Sequence, residues 1–294
     1  MDAADLKIFE AVARLGGMSR AAGELHTVQS NVTARIRALE QELGETLFFR
    51  HARGVTLTAA GARLLPYALK IAGLLDEARA AVRDDGTPRG PLLVGSLETT
   101  AGLRLSPLLA RYAAEYPDVD LVLRTGTSAE LIEAVLARRL EGAFVCGPVR
   151  HPELAEILVF REELVVATAP RIRSLAEVTG AKELKLLVLR AGCSYRQRLE
   201  EILARRGIVG LRLLEFGTLD AILGCVAAGL GVTLLPRAVV EPARAAGRVA
   251  VHALPATEAA AETLFVRRRD TAASHALAAL LDLAAPQPGL RAAE

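Results

Sequence analysis

Apolar positions in the first third of the chain recur at helical spacing; in the rest they gather in short runs that alternate with helical stretches. Leu6, Phe9 and Ala13 lie three and four apart, which lines them up along one stripe of a helix over 5–15. Gly16-Gly17 ends that helix, because glycine accepts the left-handed backbone of a C-cap. Ser19 is the expected N-cap of a second short helix over 20–25. A third helix is predicted over 28–43, with Val32, Ile36, Leu39 and Leu43 as its buried face and Gly44 as its stop.

Two short helices meeting at a tight turn, the second with a polar leading face, is the layout of a helix-turn-helix. Gln29, Ser30, Asn31, Thr33 and Arg35 lie off the apolar stripe or at the helix start, and their side chains suit hydrogen bonding to base edges. Residues 47–57 follow, two short apolar pieces around a basic, Gly-containing tip, which predicts a β-hairpin wing. Arg50 and Arg53 at that tip are candidate contacts to phosphate or the minor groove. Thr58 then caps a long helix over 59–83 in which Leu64, Ala68, Ile71, Leu75, Ala78 and Val82 follow a 4-3-4-3-4 spacing. That heptad seam calls for a partner, and pairing with a second protomer is expected, parallel or antiparallel. Pro66 lies inside the helix and is expected to kink it.

Residues 84–91 are polar and rich in Gly and Pro, a hinge between domains. Beyond it strands and helices alternate, with strands over 92–97, 119–124 and 142–146 and helices over 103–115 and 129–138, which predicts an α/β domain with a mostly parallel sheet. A second half echoes the first in order, with strands over 186–189 and 211–216 around a helix over 196–206. Two similar lobes follow, lobe I over about 92–161 and 268–285 and lobe II over about 162–267, within an effector domain of 92–285. The domain plan is completed by a winged unit of 1–58, the linker helix of 59–83 and a flexible tail of 286–294. Segments 162–168 and 263–269 are the expected crossovers, and a helix over 272–283 is expected to return to lobe I. Ligands of such sheets sit beyond the strand carboxyl ends. Those ends supply Ser96, Glu98, Thr99 and Thr100, then Thr125, Thr127, Ser128 and Cys146, then Cys193, Ser194, Tyr195 and Thr218. Hydroxyls dominate, and they suit a small polar effector.

Composition narrows the field without naming a partner. Among 294 residues 52% are hydrophobic, which fits a folded globular protein, and no apolar run is long enough to span a bilayer. The start MDAADLKIFE is acidic where a signal peptide needs a basic opening, so a cytoplasmic protein with no membrane partner is expected. Net charge is only +2, and four of the 36 Lys+Arg residues are lysines, so charge alone does not announce a nucleic-acid binder. Three cysteines are too scattered for a disulfide framework or a zinc site, and no cofactor is expected. The chain has no phosphate loop and no H-E-x-x-H helix, and Gly224, Gly229 and Gly231 precede a strand where a dinucleotide fingerprint must follow one, so a non-enzyme is expected. Cys193 sits between a strand and a helix start, where a thiol pKa can fall, which leaves thiol-based redox sensing as an alternative to effector binding. A small-molecule-binding or enzymatic α/β protein is the other alternative.

A string of motifs runs through residues 5–65: Phe9, Val12 and Ala13; Ser19-Arg20-Ala21-Ala22; Leu25-His26; Gln29-Ser30; and Arg37-Ala38-Leu39-Glu40. It continues through Glu42-Leu43-Gly44, Leu47-Phe48-Phe49-Arg50 and Leu57-Thr58-Ala59-Ala60-Gly61. Over this stretch the chain resembles LysR-type transcription regulators almost continuously. The family often has proline at position 30 and arginine at position 34; this chain has Ser30 and Ala34, so base preference does not transfer. The resemblance implies a winged helix-turn-helix with a long linker helix, and a two-lobed effector domain like the type 2 periplasmic binding proteins. It also implies a dimer of dimers on an interrupted palindrome of double-stranded DNA, contact with RNA polymerase, and activation or repression in response to an inducer between the lobes. Many such inducers are carboxylates; Glu98 at the cleft mouth leaves an amine-bearing or neutral ligand open.

Overall fold

The computed structural model describes residues 1–51, 54–83, 86–179, 185–189, 194–208 and 212–285. They form two compact units, Met1–Gly86 with Ala137–Arg139, and Thr87–Leu136 with the chain from Leu140 onward.

In the first unit α1 (Ala3–Leu15) starts earlier than its apolar stripe suggests. Asp2 and Asp5 form a capping box there: the Asp5 N–H donates to Asp2 Oδ1 at 2.8 Å and the Asp2 N–H to Asp5 Oδ2 at 2.9 Å. Helix α2 (Met18–Glu24) follows Gly17 with no side-chain cap, so Ser19 is not the N-cap that its type suggested. Helix α3 (Gln29–Leu43) buries Val32, Ile36 and Leu39, whereas Leu43 is 38% exposed and leaves the predicted stripe. Strands β1 (Phe48–His51) and β2 (Gly54–Leu57) pair antiparallel with Phe48 opposite Leu57 and His51 opposite Gly54, which makes the expected wing. Gly54 has φ +133°, and a Cβ there would stand 2.4 Å from the Gly16 carbonyl oxygen, so only glycine lets β2 pass the end of α1. Helix α4 (Ala59–Arg83) runs on through Pro66. Its N-terminus is capped as predicted, with the Gly61 N–H donating to Thr58 Oγ at 3.1 Å. Phe9, Val12, Ile36, Leu47, Phe48 and Ala68 make one core, with the Phe9 and Phe48 rings 5.2 Å apart.

The second unit opens with β3 (Gly90–Ser96), a short α5 (Glu98–Thr100), a π turn (Ala101–Leu105) and α6 (Ser106–Glu115). Then come β4 (Val119–Thr125), α7 (Ser128–Leu136), β5 (Gly142–Cys146) and the long β6 (Leu154–Thr168). After α8 (Leu175–Thr179) the order repeats as β7 (Lys185–Leu189), α9 (Ser194–Ala204), β8 (Arg212–Phe216), α10 (Leu219–Ala227) and β9 (Thr233–Pro236). The chain closes with α11 (Arg237–Ala245), β10 (Ala250–Ala253), α12 (Ala256–Ala259), β11 (Ala260–Arg268) and α13 (His275–Ala284).

Lobe I has the strand order β4-β3-β5-β11-β6. Lobe II has β8-β7-β9-β6-β10, with β7 joined to the start of β9 through the bridge of Leu186 to Val232. The two orders are the same pattern, first-strand neighbours parallel and the returning strands antiparallel, so the echo in the sequence is a real repeat. The sheets are therefore mixed, not mostly parallel: β6 and β11 each cross between lobes and must run against β5 and β9. Strand β6 begins eight residues before the predicted crossover of 162–168, but the change of partner falls within it: residues 154–163 pair with β11, and 164–168 with β9 and β10. Helix α13 returns to lobe I as expected, where the Tyr112 hydroxyl donates to the Ala276 carbonyl at 2.7 Å. Burial pushes that phenol up to about 12.

Candidate functional sites

On α3 each residue turns about 100° from the last. The side facing away from Val32 and Ile36 therefore carries Ser30, Ala34, Arg37 and Gln41, all exposed. Gln29 and Asn31 flank this ridge and both are locally engaged: Ser19 Oγ donates to Gln29 Oε1 at 2.9 Å, and Asn31 Nδ2 donates to Thr27 Oγ at 3.0 Å. Ser19 thus holds the first residue of α3 in place of capping α2. Thr33 is half-buried beside the ridge. Arg35 does not face outward. Its Nε donates to Asp5 Oδ1 at 2.7 Å and its Nη2 to both Asp2 oxygens at 3.0 Å, which ties α3 to the capping box of α1. The hydrogen bond to Asp5 raises the guanidinium pKa. Sequence position put Arg35 beside the polar leading face; the helical angle puts it beside the core. Arg37 is the cation on the exposed side, and its spacing of seven from Ser30 was the signal for it.

On the wing, Arg50 is exposed, with Nη2 3.8 Å from Glu40 Oε2. The other Glu40 oxygen accepts the Leu47 N–H at 2.8 Å, so Glu40 ties α3 to the start of the hairpin. Arg53 lies outside the described residues.

The heptad seam of α4 divides in two. Ala68 is fully buried, and Leu64 and Ile71 pack half-buried against the same core as α1, so these three have an intramolecular partner. Leu75 is 38% exposed, Val82 88% exposed, and Ala78 lies open between them, beside Leu74 at 45%. Spacing alone could not tell the half that packs on α1 from the half left open.

In the second unit a cleft of about 470 Å³ opens between the lobes. From lobe I it takes Ser128, Ala129 and Ile132 of α7, Cys146 at the end of β5, and Pro148, Val149, Arg150 and His151 after it. From lobe II it takes Ser194, Arg196, Gln197 and Glu200 of α9. The first residues of both helices thus stand at one opening, where the positive ends of the helix dipoles favour negative charge. Ser128 Oγ accepts the Cys146 N–H at 3.1 Å. Burial pushes the Cys146 thiol pKa up, against a hydrogen bond with Ser194. Arg196 is held by Glu200 at 3.2 Å and Glu215 at 2.8 Å, while Arg150 is exposed at the rim.

Three of the predicted effector residues, Ser128, Cys146 and Ser194, therefore share this cleft. Others are structural. Ser96 is fully buried and donates to the Leu97 carbonyl at 3.0 Å. Tyr195 is a core residue among Val188, Leu199 and Ile202. Thr127 caps α7, its hydroxyl and N–H both reaching Glu130 Oε2 at 2.9 and 2.8 Å, and Thr218 caps α10 through the Ala221 N–H at 3.3 Å. Thr99 and Thr100 are buried in α5, Glu98 is half-buried, and Thr125 is exposed at the end of β4. Cys193 lies outside the described residues. Arg150 and His151 were missed because they lie in the segment after β5, and Arg196 and Gln197 because they lie past the opening residues of α9 that the strand-end rule reached. Among the described residues no group of three or more His, Cys, Asp or Glu side chains is placed to hold a metal, and no helix is long and apolar enough to cross a membrane.

Both units have counterparts in known proteins. Residues 3–62 match the bacterial regulatory helix-turn-helix protein family of lysR type, and residues 85–288 match the LysR substrate binding domain. The chain is 44% identical over 276 residues to the HTH-type transcriptional regulator GltR of Bacillus subtilis (strain 168), covering 94% of this chain and 93% of that protein. It is 46% identical over 286 residues to the uncharacterised HTH-type regulator YusT of the same organism, covering 97% and 96%. Full-length CbnR in complex with its target DNA superposes with a TM-score of 0.65 at 27% identity, covering 97% of this chain and 99% of that one. With both of its units matched, this chain belongs to the LysR family of transcriptional regulators, and it is a DNA-binding regulator whose substrate-binding domain senses an effector.

Proposed function

We propose that the effector binds in the cleft between α7 and α9. The observation that carries this is the composition of its walls: hydroxyls from both lobes, Ser128 and Ser194, stand at two helix starts, with Arg150 at the rim and Ile132 and Val149 as an apolar floor. Such walls suit a small polar molecule with at least one acceptor group, a class that includes carboxylates. Glu200 inside the cleft and the half-buried Glu98 keep amine-bearing ligands within that class. A thermal-shift screen of small metabolites tests the reading: a hit should raise the melting temperature of the wild type, and Ser128→Val should reduce that shift, measured against the variant's own unliganded melting temperature, which loss of the acceptor for the Cys146 N–H lowers. A hit whose shift is the same in Ser128→Val and Arg150→Ala would move the effector elsewhere.

In the same reading the open half of α4, Leu75 to Val82, pairs two protomers so that two copies of α3 meet half-sites of an interrupted palindrome. Ser30, Thr33 and Arg37 on the exposed side, with Gln29 and Asn31 at its flanks and Arg50 on the wing, meet the duplex. Dimers then join into a tetramer through the effector domains, and closure of the lobes on ligand changes how the pair of dimers bends DNA and meets RNA polymerase in the cytoplasm. The chain performs no catalysis in this scheme.

A further inference from the structure

Two exposed residues on the side that α3 turns away from its core, Ala34 and Ala38, can neither donate nor accept a hydrogen bond, and Ala34 is the nearer to the crest. Ser30, Arg37 and Gln41 are polar; Ala34, at about 200° from Val32 and so near the crest, is exposed and presents only a methyl group. The next residue, Arg35, does not take its place, because it is held by Asp2 and Asp5 beside α1. A methyl at the crest of a major-groove helix pairs best with the 5-methyl group of thymine, the one methyl that the major-groove edges offer, whereas against N7, O6 or an exocyclic amine it leaves a polar atom unsatisfied. Ala34 is in the second turn of α3 (Gln29–Leu43), the end of a recognition helix that reaches base edges.

We propose that Ala34 is a specificity-determining residue that reads a thymine methyl in each half-site of the operator. This rests on α3 entering the major groove. Ser30, one turn earlier on the same ridge, and Arg37, one turn later, then bracket that base pair, with Ser30 hydrogen-bonding an adjacent base edge and Arg37 reaching phosphate or guanine.

The test uses the full-length chain. Duplexes selected from a random pool give the preferred site, and each thymine in one half-site is replaced in turn by deoxyuridine, which removes only the methyl group. At one thymine per half-site the replacement should weaken wild-type binding about fourfold, the effect of one buried methyl-sized group. Ala34→Gly, which removes the contact from both half-sites, should bind the thymine site about as weakly as the wild type binds a site with deoxyuridine at that position in both half-sites, and should lose nothing further when the methyl is removed. That non-additivity isolates the pairwise contact from any loss of helix stability caused by glycine. Losses that are equal in wild type and Ala34→Gly, or no thymine whose methyl matters, would overturn the proposal while leaving sequence-selective binding intact. A pool that yields no preferred site at all would instead remove the groove reading of α3, and the proposal with it.

Discussion

At the scale of single residues, two arginines two positions apart on α3 have different jobs. Arg35 bridges to Asp2 and Asp5, whereas Arg37 is exposed on the side that carries Ser30 and Ala34. Arg37→Ala is expected to weaken binding to all DNA sequences and to reduce the slope of log affinity against log salt by about one. Arg35→Ala is expected to leave that slope unchanged and to lower the melting temperature, because it removes a link between α1 and α3. Fluorescence anisotropy over a salt series, beside a thermal melt, separates the two; a changed slope for Arg35→Ala would reverse the assignment. A second residue-level expectation concerns pH. His252 Nε2 lies 2.8 Å from Thr168 Oγ, and burial lowers the imidazole pKa below 6.5, with Glu177 acting in the opposite direction. A folded-state pKa below the unfolded one means that the unfolded chain binds the proton first, so this stabilisation is complete above pH 6.5 and is lost as pH falls from there through the folded value. His252→Gln should flatten the fall in melting temperature between pH 7 and 5, and an unchanged profile would assign the acid sensitivity to another group.

Elements were legible wherever a period and a stop coincided. The stripe of Val32, Ile36 and Leu39 with Gly44 behind it gave α3 almost to the residue, and Thr58 marked the start of α4. What periodicity could not carry was the identity of a partner. The 4-3-4 spacing from Leu64 to Val82 is continuous, yet Ala68 is buried against α1 and Val82 is open, because a helix that extends past the core it packs on keeps the same spacing. The same limit acted on Arg35, whose neighbours in sequence are polar but whose contacts come from residues thirty positions away. Site residues were legible at a strand end, Cys146, and at the helix starts that follow strands, Ser128 and Ser194, and not further along α9 or after β5, where cleft residues follow no period. The division of α4 leads to a direct expectation. Leu75→Glu should shift the full-length chain from dimer or higher assemblies toward monomer in sedimentation while the winged unit stays folded. Ala68→Glu should instead unfold that unit, since it places an unpaired carboxylate in a fully buried position. Should Leu75→Glu sediment like the wild type, the open half of α4 is not the seam.

At the scale of the whole effector unit, the lobes are similar in strand order but not independent in packing. Each has a private layer, Leu92, Phe144 and Leu280 in lobe I and Leu187, Ile222 and Val240 in lobe II. A third cluster joins Val135, Val145 and Val266 to Leu186, Leu199 and Leu234, and Leu164 sits within it on β6, the strand that both sheets share. Polar links bracket the same place: Arg104 Nε donates to Glu162 at 2.8 Å from lobe I, and Arg237 reaches Glu163 at 2.7 Å from lobe II. A strand that is central to one sheet and an edge of the other cannot lose its packing in one lobe without loosening the other, so the unit should unfold as one body even though its topology is a repeat. Leu164 is fully buried, and Leu164→Ala removes three heavy atoms from a site that β6 and β9 hold too rigidly to collapse, so a loss of about 2–5 kcal/mol is expected. Hydrogen exchange reads the outcome: amides of β3 and of β7 should both exchange faster in the variant, and by similar free energies, because their protection comes from one shared opening. Acceleration confined to β7 would mean that the lobes open separately, and that closure around a ligand would then have to be driven by the ligand's own contacts, not by a stiff common strand.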